Sequence, residues 1–260
     1  MKILVLRFDA PMMSFGATKV DAYGPTDMFP RRSMVTGLFG NALGWDRTDD
    51  DPHTRLQDRL RIASRCDRNG SSMRDFQTVD LSQPFLKNGW TTRGELEGRS
   101  GAGKTKNGTH IRHRYYRVDS VYTVVVTLVP ANQSPTLEDL ADALQEPARP
   151  LFLGRACCLP AAPIFRGFAE APGLRVALAS IPRIPRRPGS EQAGEDRPLM
   201  ARWPEDDPGA GQDEEALKGT KHPITEDRDW CMDVCVGRSW VIDGTVDPPR
   251  STAGAMEVRS

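Results

Sequence analysis

No apolar run in this 260-residue chain is long enough to cross a membrane. The opening run, Ile3–Phe8, is interrupted by Arg7, closed by Asp9, and too short for the core of a secretory signal. Net charge is also missing. Lys and Arg number 35, Asp and Glu 35, which at first argues against a nucleic-acid partner. A disulfide framework is missing too: Cys66, the vicinal Cys157 and Cys158, Cys231 and Cys235 are an odd set without scaffold spacing. That usage fits a reduced, cytoplasmic setting. Cys231 and Cys235 have no second Cys or His pair beside them, so neither a metal site nor a cofactor is expected.

What is present is charge that is unevenly placed. Residues 1–120 hold 20 Lys and Arg against 14 Asp and Glu, a balance of +6; residues 121–260 hold 15 against 21, a balance of −6. Lys87–Arg117 alone carries eight basic residues and only Glu95 and Glu97. One basic segment on a neutral body points to a local polyanion contact. The length allows one large domain or two small ones with a real core.

In chain order, Ile3–Phe8 predicts a buried strand, followed by a Gly/Pro/Ser-rich loop. Phe29–Trp45 predicts a helix. Pro30 pre-sets its φ, Ser33 caps it or sits in its first turn, and Gly44 ends it. Met34, Val35, Leu38, Phe39, Ala42 and Leu43 form its apolar stripe, and Gly37 and Gly40 allow another backbone close. A second short helix is predicted over Thr54–Ile62. Strands follow at Ile62–Arg68 and Phe76–Leu81, with the Asn69-Gly70 turn signal after the first. Asn88–Thr109 reads as an exposed glycine-rich excursion. Arg114–Val129 is the longest β signal, apolar on both faces from Val121 and therefore central. Thr136 with Asp139 makes a capping box ahead of a helical stripe at Leu137, Leu140, Ala141 and Leu144, and Leu151–Leu159 predicts a strand broken at Gly154-Arg155.

Strand, helix, strand, strand, helix, strand over residues 3–159 is the order of an α+β, ferredoxin-like (RRM-like) βαββαβ domain, a common RNA-binding scaffold. Residues 1–160 are assigned to it, and residues 161–260 to a small β-rich C-terminal region. That region shows strands at Leu174–Ser180 and Trp230–Val236, a poorly ordered acidic and Pro-rich stretch between them, and a frayed tail after Asp247.

Four features carry chemistry. Arg31-Arg32 stand at the positive end of a helix dipole, unfavourable by about 0.3–1 kcal/mol each unless an anion arrives. They are either a phosphate site or two solvated cations. Gly98–Thr105, GRSGAGKT, fits the P-loop pattern residue for residue, but TTRGELE before it is no buried strand. Asn107-Gly108 after it is a turn signal rather than a helix start, so the match is read as composition. His110 and His113, with Lys104, Tyr115 and Tyr116, could cleave RNA without metal or simply hold it by phosphate contacts and stacking. Binding requires less geometry. Gly154-Arg155 is a phosphate grip or a β-bulge.

Four blocks, LRFDAPMMSFG, FPRRSMVTGLFGNALGW, DRNGSSMRDFQTV and PLFLGRACCLPAAP, fall in an order that resembles the CasD family. This is the fifth Cas protein family, in the RAMP superfamily. The resemblance covers about residues 3–165, and the strands beyond more weakly. It implies a ferredoxin-like domain with a long β-hairpin thumb at about residues 81–117 and a small C-terminal β region. It implies a type I-E CRISPR Cascade subunit that binds the 5′ handle of crRNA and caps the filament of the backbone subunit, CasC. Such a subunit contacts the large PAM-recognising subunit, CasA, and meets target DNA through the assembled complex. No catalytic residue is implied; because a sister branch cuts its own precursor, a metal-independent endoribonuclease is the alternative and a P-loop NTPase the weaker one. The RNA-contact set implied by the blocks is Arg7, Ser14, Phe15, Gly16, Arg31, Arg32, Ser33, Arg74, Gln77, Gly154 and Arg155. Charge and rings add the thumb residues Lys104, Lys106, Arg112, His113, Arg114, Tyr115 and Tyr116.

Overall fold

The computed structural model describes residues 1–19, 21–80, 109–184, 197–207, 209 and 218–249. The apolar opening becomes β1 (Lys2–Asp9), followed by the two-residue strands β2 (Met12–Met13) and β3 (Tyr23–Gly24). The predicted helix is α1 (Arg32–Leu43), with Arg31 at its N-cap, Ser33 in the first turn and Gly44 closing it at φ 80°. The neighbour that Gly40 admits is a ring, not a backbone: a Cβ there would lie 2.3 Å from His53 Nε2. The second helix, α2 (Asp50–Arg59), starts a turn earlier than predicted and runs into β4 (Leu60–Arg68).

β4 does not turn back at Asn69-Gly70. Gly70, at φ 57°, bends the chain into β5 (Ser71–Asp80), which pairs with β6 (Thr109–Val118) rather than with β4. The long 114–129 β signal is likewise two strands, β6 and β7 (Val121–Leu128), parted at Asp119, φ 53°. A Cβ on Gly70 would lie 2.0 Å from the Val118 carbonyl, so the two kinks face each other. The hairpin therefore leaves the sheet at Ser71, ten residues earlier than predicted for the thumb.

α3 (Leu137–Gln145) carries the predicted capping box, Thr136 Oγ1 accepting from Asp139 N at 3.2 Å and Asp139 Oδ2 accepting from Thr136 N at 2.7 Å. No strand forms over 151–159. That segment closes on itself through Leu153 N–H to Cys158 O and Cys158 N–H to Arg155 O, each 2.8 Å, and the strand that follows is β8 (Phe165–Glu170). The predicted strand 174–180 is a helix, α4 (Leu174–Ser180). Over seven residues its apolar run fits either period. Tertiary partners decide: Asp207 accepts from the N–H of Leu174 and Arg175 at 2.9 and 3.0 Å, and Arg65 donates to the carbonyls of Leu178 and Ile181.

The remaining strands are β9 (Leu199–Pro204), β10 (Thr220–Ile224), β11 (Asp227–Asp229), β12 (Val234–Val236) and β13 (Ser239–Val246). Trp230–Val236 is thus the turn and second arm of the β11–β12 hairpin, not one strand. An antiparallel sheet runs β10-β13-β9-β4-β7-β1-β8. β9 pairs directly with β4, so the C-terminal region extends the same sheet.

The sheet is covered on both faces, which is why β1 and β7 read as continuous apolar runs. Leu4, Leu6 and Phe8 pack with Leu38, Phe39, Leu56 and Leu140 of α1–α3. Ile3 and Val5, pointing the other way, pack with Leu174, Ala177 and Leu178 of α4 and with Trp203. Among the described residues no helix is long and apolar enough to span a membrane, and no His/Cys/Asp/Glu group could hold a metal.

Candidate nucleic-acid interface

Four chain segments meet at the root of the β5–β6 hairpin. β3 lies parallel to β6, Tyr23 beside His113 and Gly24 beside Arg114. Ser14 N–H donates to Leu153 O at 3.1 Å, which ties the Ser14–Gly16 loop to the 153–158 turn. Gly154, at φ 99°, is where they touch: a Cβ there would lie 1.7 Å from Ser14 O. The close approach predicted for a ligand is therefore made by the chain's own backbone. Arg155 next to it donates to the carbonyls of Tyr115 (3.1 Å) and Gly24 (3.0 Å) and stacks its guanidinium 4.7 Å over the Tyr116 ring. It is a stitch between β3 and β6.

The hairpin has two faces. Residues paired across an antiparallel ladder share a side, so Arg74, Phe76, Ile111, His113 and Tyr115 lie on one face. Met73, Asp75, Gln77, Arg112, Arg114 and Tyr116 lie on the other. Arg74, Arg112 and Arg114 are exposed and make no ion pair among the described residues. Gln77 donates to Asp75 at 2.6 Å. Tyr116 is buried, and burial, with a hydrogen bond from Cys157 Sγ, pushes its hydroxyl above the ordinary tyrosine value. Burial likewise pushes the Cys158 thiol up to about 11, which leaves it protonated and inert.

Arg7 and Phe15 sit elsewhere. Arg7 pairs with Asp9 two residues on. Phe15 is in the core, edge-on to Tyr122 at 5.1 Å, and offers no face to a base. Ser14 is buried, Gly16 exposed at φ 76°. Lys104, Lys106 and the Gly98–Thr105 motif lie outside the described residues.

Arg31 and Arg32 are neither solvated nor waiting for phosphate. Arg31 bonds Asp27 Oδ2 (3.1 Å) and Thr225 O (2.7 Å). Arg32 makes a bidentate pair with Asp227 (2.7 and 2.8 Å) and reaches Ser239 Oγ (2.7 Å). The first-turn amides are taken as well: Arg32 N–H donates to the Glu226 carboxylate at 3.2 Å and Ser33 N–H to the Glu226 carbonyl at 3.3 Å. The anion that the helix dipole calls for comes from the C-terminal region of the same chain. Arg202, bonded to Asp27 and bidentate to Asp243, extends the network. Burial pulls the Asp27 carboxyl up, but Arg202 and Arg31 outweigh it and hold it below its ordinary 3.8. In Glu226 burial prevails over Arg32, and the carboxyl is raised above 4.5.

Sequence reasoning missed Tyr23 and Phe76. Tyr23 stacks on His113 with ring centres 4.9 Å apart and planes at 15°, and Phe76 lies against the same imidazole at 5.3 Å. The hint was Phe76 within an otherwise polar strand, DRNGSSMRDFQTV; for Tyr23 no local signal existed, because its partner is 90 residues away.

A family model described as CRISPR-associated protein (Cas_Cas5) matches residues 3–231. The CRISPR system Cascade subunit CasD of Escherichia coli (strain K12) is 30% identical over 175 residues, 67% of this chain and 75% of that one. A solved CRISPR RNA-guided surveillance complex contains a chain of similar fold, TM-score 0.64 at 23% identity, covering 95% of this chain and 91% of that one. A crystal structure of a Cas protein gives 0.61 at 22%, over 96% and 98%. The four ordered sequence blocks, the helix and strands they build and a family match spanning nearly the whole fold agree, and the chain belongs to the Cas5 family of CRISPR-associated proteins.

Proposed function

We propose that this chain is a non-catalytic subunit of a type I-E, Cascade-like complex, holding the 5′ handle of crRNA at the root of the β5–β6 hairpin. The observation that carries this is the hairpin itself: two long strands leave the sheet together, with Arg74, Arg112 and Arg114 exposed and unpaired among the described residues. Cations kept out of ion pairs on a projecting ribbon are suited to phosphates. Strand order β8-β1-β7-β4, with α1 and α2 between β1 and β4 and α3 between β7 and β8, supports the ferredoxin-like βαββαβ plan for the supporting domain. In that reading the subunit caps the CasC filament, contacts CasA, meets target DNA through the assembled complex and works in the cytoplasm.

The non-catalytic reading rests on geometry at β6. His110 lies outside the residues whose side chains are described, so the reading rests on Tyr116 and His113. Tyr116 is buried. His113 is wedged between two rings. Incubating the purified chain with repeat RNA in EDTA tests the point: the RNA should be bound and recovered intact. Cleavage leaving a 2′,3′-cyclic phosphate would make the chain a ribonuclease instead.

A further inference from the structure

Large apolar side chains are normally covered, yet one face of the hairpin leaves three in the open. Tyr23 is 49% exposed, Phe76 58% and Ile111 43%. They are not scattered. Tyr23, His113 and Phe76 come from three neighbouring strands, β3, β6 and β5, and stand in register as one row across the ribbon. At the middle of the row His113 Nδ1 is buried and has no hydrogen-bond partner among the described residues. Arg74 and the exposed Ile111 flank the row on the same face, and Arg112 and Arg114 lie on the opposite face of the ribbon together with the exposed Met73 and Val79.

From this we propose that the Tyr23–His113–Phe76 row is a stacking platform for two unpaired RNA bases, one at each exposed end, taken without preference for base identity. The proposal rests on the RNA-binding reading above and adds a different kind of contact to it. Phosphate contacts draw any polyanion; a row of rings selects unstacked, single-stranded bases, because every base has a π face to offer. An apolar protein partner would have to bury Arg74 beside the rings, whereas a nucleic acid sets a phosphate on it and a base on the rings.

The test uses the full chain and two probes: an eight-nucleotide single-stranded RNA carrying 2-aminopurine, and the same RNA with two abasic positions. Y23A and F76A should each weaken binding of the intact RNA about 10-fold or more, relieve 2-aminopurine quenching, and leave the salt dependence unchanged because no charge is removed. Both should bind the abasic RNA as tightly as the wild type does. F76Y should restore affinity, and F76L, which retains an apolar side chain without a ring, should not. If F76L binds and quenches like wild type, the platform is wrong. If the ring variants bind like wild type while R74Q/R112Q/R114Q binds weakly, the platform fails and the phosphate reading stands. If the triple Arg variant also binds like wild type, the RNA reading itself fails. Should the ring variants keep RNA but fail to co-purify with another Cas subunit, the row is a protein-docking surface and the proposal is overturned.

Discussion

Arg32 reverses the effect that its local position predicts. On the dipole alone, Arg32→Gln would stabilise the protein slightly. In the fold it removes both bonds to Asp227 and leaves that carboxylate facing Glu226, so thermal or urea unfolding should register a loss of about 2–3 kcal/mol. The two carboxylates of the network should respond oppositely to amidation. Asp27 has a lowered folded pKa, so it contributes stability above 3.8 that is lost as pH falls through the folded value. Asp27→Asn should destabilise at pH 7 and flatten the acid limb of a stability-versus-pH curve. Glu226 has a raised folded pKa, so its contribution is present below 4.5 and is lost as pH rises through the folded value. Glu226→Gln, which keeps an oxygen for Arg32 N–H, should cost nothing at pH 7. Gly154 is the third test: Gly154→Ala meets a backbone oxygen at 1.7 Å from a φ of 99°, and should destabilise by at least about 2 kcal/mol in a melting curve.

At the scale of elements, the hairpin is built to be charged without holding the fold together. Arg74, Arg112 and Arg114 are exposed on β5 and β6, and exposed charges contribute little to stability. Neutralising all three to Gln should leave the melting midpoint within a degree or two. The slope of log affinity for RNA against log salt should drop by about one for each phosphate that is no longer neutralised. The strand beyond them is legible in outline, since Val121–Leu128 is buried throughout and apolar except at Thr123 and Thr127. Where strands begin and end is less so. Asn69-Gly70 carries a hairpin-turn signature, but its φ 57° serves a bend opposite Asp119, and only the pairing of β5 with β6 reveals that. Leu174–Ser180 misleads because what makes it helical lies elsewhere: Asp207 at one end, Arg65 at the other.

For the whole molecule, the same division holds between what is local and what is not. The block order, α1, α3 and the buried strands β1 and β7 are readable because each of these elements writes its own period into the chain. The role of Arg31 and Arg32 is not, because Thr225, which holds Arg31, and Glu226 and Asp227, which hold Arg32, are 194–195 residues away. A helix start with the sequence of an empty phosphate site is, in the fold, the clamp between α1 and the C-terminal region. The RNA site we propose accordingly lies at the hairpin root rather than at the helix. Photo-crosslinking tests that placement most directly: handle RNA carrying 4-thiouridine is bound to the full chain, irradiated and mapped by peptide mass spectrometry. The crosslinks should fall on Tyr23 and within Ser71–Asp80 and Thr109–Val118. Crosslinks confined to Phe29–Val35 with none on the hairpin would contradict the account and return the site to the helix.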